Sequence, residues 1–132
     1  MLTLSVRARI GVILLSLITI GSELSHAADD RWKYFATNGA GDTLYYDTDS
    51  VTVYGNKIVK VWYKMILNKD SKSPVREAKY LEEFNCNKRE RRTIEGHYYY
   101  KDGNYKFDGE KSNWEDIEPE TWIESLFNIV CK

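Results

Sequence analysis

Two periodicities divide the chain. From residue 31 to about residue 107, apolar and polar side chains alternate in short runs broken by Gly, Asn and Asp. From Pro119 onward the apolar residues recur at three- and four-residue intervals. The first pattern predicts strands and the second an amphipathic helix. Strands are expected over residues 31–37, 43–46, 51–54, 57–67, 78–86, 89–100 and 104–107. Between them lie turn signals: Gly39 and Gly41 within 38–42, the polar corner Asp47-Thr48-Asp49-Ser50, Gly55-Asn56 as a two-residue hairpin, and Asp102-Gly103. At the end, Ile123, Leu126, Phe127 and Val130 fall on one helical face, widened by Trp122 and Ile129. Pro119 fits the first helical turn, where a missing N–H costs nothing, and Glu118 and Glu120 suit the positive end of the helix dipole.

The run 57–67 has the strongest strand pattern. Period two places Val59, Val61, Tyr63, Met65 and Leu67 on one face and Ile58, Trp62 and Ile66, between Lys60 and Lys64, on the other. The first face belongs to a core; the second is half apolar and is either covered by loops or offered to a partner. The expected fold class is therefore α+β: one antiparallel sheet of about six strands, with one C-terminal helix packed on one face.

The N-terminus changes the picture of where the chain works. Arg7 and Arg9 precede an apolar run over residues 10–20, which exits through Ser25-His26-Ala27-Ala28. This is the layout of a secretory signal peptide, and the run is short of the roughly 20 apolar residues a membrane-spanning helix needs. Cleavage is expected after Ala27, with Ala28 the alternative, giving a signal peptide over 1–27 and one domain over 28–132. No cysteine follows the apolar run, so no lipid-anchor site is visible, and no membrane insertion is expected after cleavage. The whole chain carries 19 basic and 20 acidic residues. Loss of Arg7, Arg9 and Glu23 leaves 17 against 19, too balanced for a field that would select nucleic acid or an anionic membrane. The location expected is the periplasm or the exterior.

Cys86 and Cys131 are the only cysteines. In an exported protein such a pair reads as a disulfide, with two free thiols or a metal pair as the alternatives. The bridge would tie the terminal helix to the strand ending at Cys86.

Motifs of catalysis are missing. His97 is the one histidine after cleavage, and no nucleophile elbow, P-loop, dinucleotide fingerprint or zinc-protease helix occurs. Asp42, Asp47 and Asp49 do not have EF-hand spacing and are expected to cap their own corner. Glu82-Glu83 and Glu115-Asp116 are paired acids in segments where nothing predicts burial. No enzyme activity, metal or cofactor is expected. Lys88, Arg89, Arg91 and Arg92 beside Tyr98, Tyr99 and Tyr100 offer the chemistry of single-strand binding, but Glu90 and Glu95 interrupt it and the compartment argues against nucleic acid. A charged turn and strand edge is the expectation there.

Several stretches resemble the surface-adhesin protein E family of bacterial exported proteins. They are Tyr45-Tyr46-Asp47 with Ser50-Val51, Val61-Trp62-Tyr63-Lys64, Glu83-Phe84-Asn85-Cys86, Trp114-x-x-Ile117-x-Pro119 and Val130-Cys131. The resemblance implies a curved antiparallel sheet, a C-terminal helix packed on it, a Cys86–Cys131 bridge and an adhesin-like role.

Ten tyrosines, four tryptophans and four phenylalanines exceed what a small core uses. Tyr and Trp favour recognition surfaces, being rigid, broad and amphipathic. Trp62 with Tyr98 and Tyr100 is the expected aromatic patch, on the sheet face opposite the helix, serving a protein or envelope partner or self-association. Lys132, a terminal lysine, is a further candidate contact for lysine-binding modules.

Overall fold

The computed structural model describes residues 30–132. The signal-peptide reading of 1–27, and the choice between Ala27 and Ala28, lie outside these residues.

Eight strands and one helix follow in order: β1 Trp32–Thr37, β2 Thr43–Asp47, β3 Thr52–Tyr54, β4 Ile58–Ile66, β5 Val75–Asn85, β6 Glu90–Tyr100, β7 Tyr105–Asp108, β8 Glu115–Asp116 and α1 Trp122–Val130. Every pairing is antiparallel, and the sheet runs β1-β2-β4-β5-β6-β7. These six strands and β3 fall on the seven runs read from the pattern, and the sheet has eight strands where about six were expected. Two strands lie off this path: β3 continues the β4 edge beyond β2, and β8, which was not anticipated, pairs with Glu90 and Arg91 at the start of β6. β8 escaped the pattern because two residues cannot show alternation.

The core lies between the sheet and α1. Val59, Val61 and Tyr63 of β4 point into it, joined by Leu44 and Tyr46 of β2, Phe84 of β5, Ile117, and Ile123, Leu126 and Phe127 of α1. Phe84 meets Phe127 edge-on at 6.1 Å, and Tyr63 meets Trp122 at 5.5 Å between centroids. Each such side chain taken from water stabilises the fold by roughly 1.5–3 kcal/mol. The apolar face read from residues 57–67 is thus the core face, and Trp62 lies opposite it.

The helix begins later than Pro119 suggested. Thr121 is its N-cap, its hydroxyl accepting from the Glu124 N–H at 3.3 Å, while the Glu124 carboxylate accepts from the Glu120 N–H at 3.2 Å. This Thr-x-x-Glu arrangement satisfies donors that a helix start leaves open, so Pro119 serves the approach rather than the first turn. Cys131 caps the C-terminus, its N–H donating to the Phe127 carbonyl at 2.8 Å. It is bridged to Cys86, just past β5, with the two Cα atoms 5.5 Å apart. The alternatives of free thiols or a metal pair are thereby set aside. The β3–β4 connection is a three-residue loop, not two, since Tyr54 pairs with Ile58 and both Gly55 and Lys57 take positive φ.

Candidate binding face

The sheet face away from α1 is organised by register. Tyr34 of β1 lies opposite Tyr45 of β2, Tyr45 opposite Lys64 of β4, Lys64 opposite Lys79 of β5, Lys79 opposite His97 of β6, and His97 opposite Phe107 of β7. One row of side chains therefore crosses the whole sheet. Trp62, two residues before Lys64, stands beside it with its ring 5.5 Å from His97.

Trp32, at the start of β1, reaches over the middle of this row. Lys64 Nζ lies 4.6 Å from its ring centroid and Lys79 Nζ 5.8 Å. Lys64 is also 5.6 Å from the Tyr45 ring, and Lys79 is 5.4 Å from the Tyr99 ring. Beside these rings opens a groove of about 360 Å³ lined by Arg31, Trp32, Asp47, Trp62, Lys79, His97 and Tyr99. Asp47 is buried and held bidentately by Arg31, and it also accepts from the Asp49 N–H at 3.0 Å. That last bond is the corner capping expected of Asp47. Asp42 likewise accepts from the Asn68 N–H at 2.8 Å, joining the 38–42 turn to the end of β4.

His97 is the hub of the far side. Its Nε2 lies 2.7 Å from a Glu95 carboxylate oxygen and its Nδ1 2.6 Å from the Tyr105 hydroxyl. An ionised carboxylate only accepts, which assigns a hydrogen to Nε2 and leaves Nδ1 facing Tyr105. Phe107, Tyr105 and Trp62 surround the ring, so the histidine is fixed among aromatics.

Of the residues singled out from sequence, Trp62 is on this face. Tyr98 and Tyr100 are not its partners. Tyr98 packs edge-on against Tyr80 at 5.8 Å, and Tyr80 stacks on Tyr63 of the core face. Tyr100, two residues along β6, shares the side of Tyr98. The rings that do join Trp62 are His97 and Tyr99, one position out of phase with the expectation. Lys132 is exposed at the chain end and borders a separate hollow with Val53, Lys57 and Asn87. The meeting of Trp32, Tyr45, Lys64 and Lys79 was not legible in sequence, because it depends on register across four strands.

The acids and bases of β5 and β6 also depart from expectation. Glu82 is fully buried and Glu83 is 2% exposed. As neighbours on a strand they point to opposite faces and do not form an acid pair. Glu82 accepts from Arg91 at 3.0 Å and from the Thr93 hydroxyl at 2.9 Å. Burial pushes its carboxyl up from the ordinary 4.5, against the pull of Arg91 and Thr93. Glu83 accepts from Arg92 at 3.3 Å, and Arg92 lies over the Trp114 ring at 4.4 Å. Arg89 bonds Glu124 at 2.8 Å and covers Phe127. The three arginines of the basic run are thus engaged in internal ion pairs, leaving Lys88 exposed rather than a continuous phosphate-binding stripe. Among the described residues, no group of three or more His, Cys, Asp or Glu could hold a metal ion, and no helix is long and apolar enough to cross a membrane.

With this geometry in hand, the surface-adhesin protein E family model matches residues 32–132. The chain belongs to the surface-adhesin protein E family. The fold agrees with that of the family's solved structures. Crystal form II of Haemophilus influenzae protein E aligns with a TM-score of 0.57 at 17% identity, covering 76% of this chain and 87% of that one. Protein E from non-typeable Haemophilus influenzae aligns with a TM-score of 0.52 at 16% identity, covering 74% of each chain. At these identities the likeness is one of fold. No curated protein sequence matches the chain.

Proposed function

We propose that the chain is an exported, non-enzymatic, adhesin-like protein that recognises a protein or envelope partner through the aromatic sheet face. The exported form is residues 28–132. The observation that carries the proposal is the row from Tyr34 to Phe107, with Trp32 and Trp62 beside it, on the face that α1 leaves open. Rings at this density are the composition of recognition surfaces, where a few Trp, Tyr and Arg side chains carry most of the binding energy. Family membership supports an adhesin-like role, and the leader-like residues 1–27 support a location outside the cytoplasm.

The test is Trp62→Ala against immobilised extracellular-matrix proteins and envelope fractions. Trp62 is half-buried and outside the core, so the variant should fold while capture falls by roughly ten-fold, the scale of a hot-spot truncation. Undiminished capture by the variant, or no retained partner with the wild type, would end the proposal.

One observation favours self-association as a second reading. β7 is a sheet edge whose four residues are all exposed, Tyr105 and Phe107 at 53% each. An open edge carrying apolar rings is a template for a second copy. Sedimentation that finds only monomer at high concentration would remove this reading.

A further inference from the structure

We propose that the Lys64–Lys79 pair under Trp32 is an oxyanion site, and that the adjoining groove takes an acidic glycan: sugar rings bearing carboxylate or sulfate. The inference deepens the sheet-face reading above and rests on it.

Lys64 and Lys79 lie directly opposite each other on the two central strands β4 and β5. Like charges in that relation destabilise a sheet. Local conflicts of this kind are characteristic of functional positions. Among the described residues, ring faces offset part of the repulsion and no carboxylate pairs with either lysine. The carboxylates of this face are engaged elsewhere: Asp47 with Arg31, Glu77 with Arg76, Glu83 with Arg92 and Glu95 with His97. No carboxylate comes within 4.0 Å of either lysine among those residues. Trp32 and Tyr99 hold the ammonium groups in place through their ring faces. A ring face orients a cation without neutralising it, and a lysine has three N–H donors to offer. Two ammonium groups on neighbouring strands, 4.6 and 5.8 Å from the Trp32 ring centroid and neither paired with a carboxylate among the described residues, offer N–H donors to oxyanions.

The groove decides what carries that oxyanion. Its walls are the rings of Trp62 and Tyr99 with Arg31, Asp47 and His97, a mixture that stacks flat rings and bonds hydroxyl groups. It lies on the face of β2, β4, β5 and β6, whose backbone groups are occupied by their ladders. An extended acidic peptide would find no edge there to join as a strand; among the described residues the free edges are those of β1, β3, β7 and β8. A glycan needs no edge.

The experiment is titration calorimetry of the exported chain with oligosaccharides of heparin (sulfate and carboxylate), hyaluronan (carboxylate alone) and dextran (neutral). Binding of heparin, hyaluronan or both, weakening with salt, and none of dextran, is expected; which of the two binds distinguishes sulfate from carboxylate. Lys64→Gln and Lys79→Gln should each weaken binding by roughly ten-fold, as loss of a charge-assisted contact does, with melting temperature unchanged or raised. Lys60→Gln, on the same face but away from Trp32, should bind as the wild type. The proposal is overturned if neither acidic glycan binds, if Lys60→Gln loses as much as the pair, or if oligothymidylate or a polyglutamate peptide binds as tightly with the same lysine dependence. Failure of the glycans while Trp62→Ala still abolishes capture of a protein would refute this site and leave the sheet-face reading standing.

Discussion

Arg91 of β6 closes over Glu82 of β5, a carboxylate with no exposure to solvent, and the two are joined at 3.0 Å. The pair sits on the α1 side of the sheet, with the Thr93 hydroxyl as the second donor. Removing one partner of such a pair leaves a buried charge unmatched. Arg91→Ala should therefore cost roughly 2–4 kcal/mol, tempered because Arg91 itself is one-quarter exposed. Chemical denaturation of the two proteins measures the difference; a loss well under 1 kcal/mol would mean that water reaches Glu82.

The same carboxylate sets a pH dependence. Burial is the largest influence on Glu82 and raises its pKa above 4.5, so the folded chain holds a proton that the unfolded chain releases. Over the window between the ordinary carboxylate pKa and the raised one, stability then falls as pH rises. Glu82→Gln lacks this proton. The stability of the wild type relative to Glu82→Gln should decline as pH climbs from about 4.5 and level off above the native pKa. Denaturation midpoints for both proteins across that range test it, and a flat or rising difference would contradict the assignment.

Much of the architecture was legible because it rests on local period. The alternation of Val59, Val61 and Tyr63 against Lys60, Trp62 and Lys64 gave the faces of β4, and the spacing of Ile123, Leu126 and Phe127 gave α1. The cysteine pair followed from number and compartment. What was not legible depends on other strands. Tyr98, Tyr99 and Tyr100 are three identical residues in a row, so no alternation marks their faces; the phase of β6 is set by irregularities of pairing with β5 between Leu81 and Glu82 and between Val75 and Glu77. The burial of Glu82 and Glu83 is stabilised by Arg91 and Arg92 across the strand pair, and neighbouring carboxylates alone do not announce it.

That phase yields a pair of opposite outcomes. Tyr98→Ala removes a ring packed against Tyr80 and should cost about 1–2 kcal/mol, as for a partly buried aromatic, while leaving partner capture intact. Tyr99→Ala should change stability by less than about 1 kcal/mol and weaken capture, because Tyr99 lines the groove. Urea midpoints and capture assays on both variants decide the matter; the reverse pattern would put the recognition face on the wrong side of β6.

The bridge between Cys86 and Cys131 closes a loop spanning 45 residues, for which chain entropy gives about 4 kcal/mol. Cys131 is also the C-cap of α1, so reduction should loosen α1 before the sheet. Hydrogen exchange under reducing conditions should show deprotection of Trp122–Val130 ahead of β4 and β5, with a lowered melting temperature. Uniform loss of protection across all elements would show that helix and sheet open as one unit.

Gly41 connects the first turn to the end of β4, and its backbone explains why the residue is glycine. Its φ is +84°, and a Cβ there would stand 2.7 Å from Asn68 Nδ2. That amide donates to the Ala40 carbonyl at 3.3 Å, while the Asn68 N–H donates to Asp42, so the side chain cannot move away without loosening the turn. Gly41→Ala should cost about 1–3 kcal/mol from strain and displacement together. Gly39→Ala, two residues earlier and facing open space without positive φ, should be within about 0.5 kcal/mol of wild type. Adding Asn68→Ala to Gly41→Ala separates the two causes: relief of the clash returns part of the loss, whereas the positive φ remains. Equal stabilities for Gly39→Ala and Gly41→Ala would mean that the turn adopts another conformation in solution.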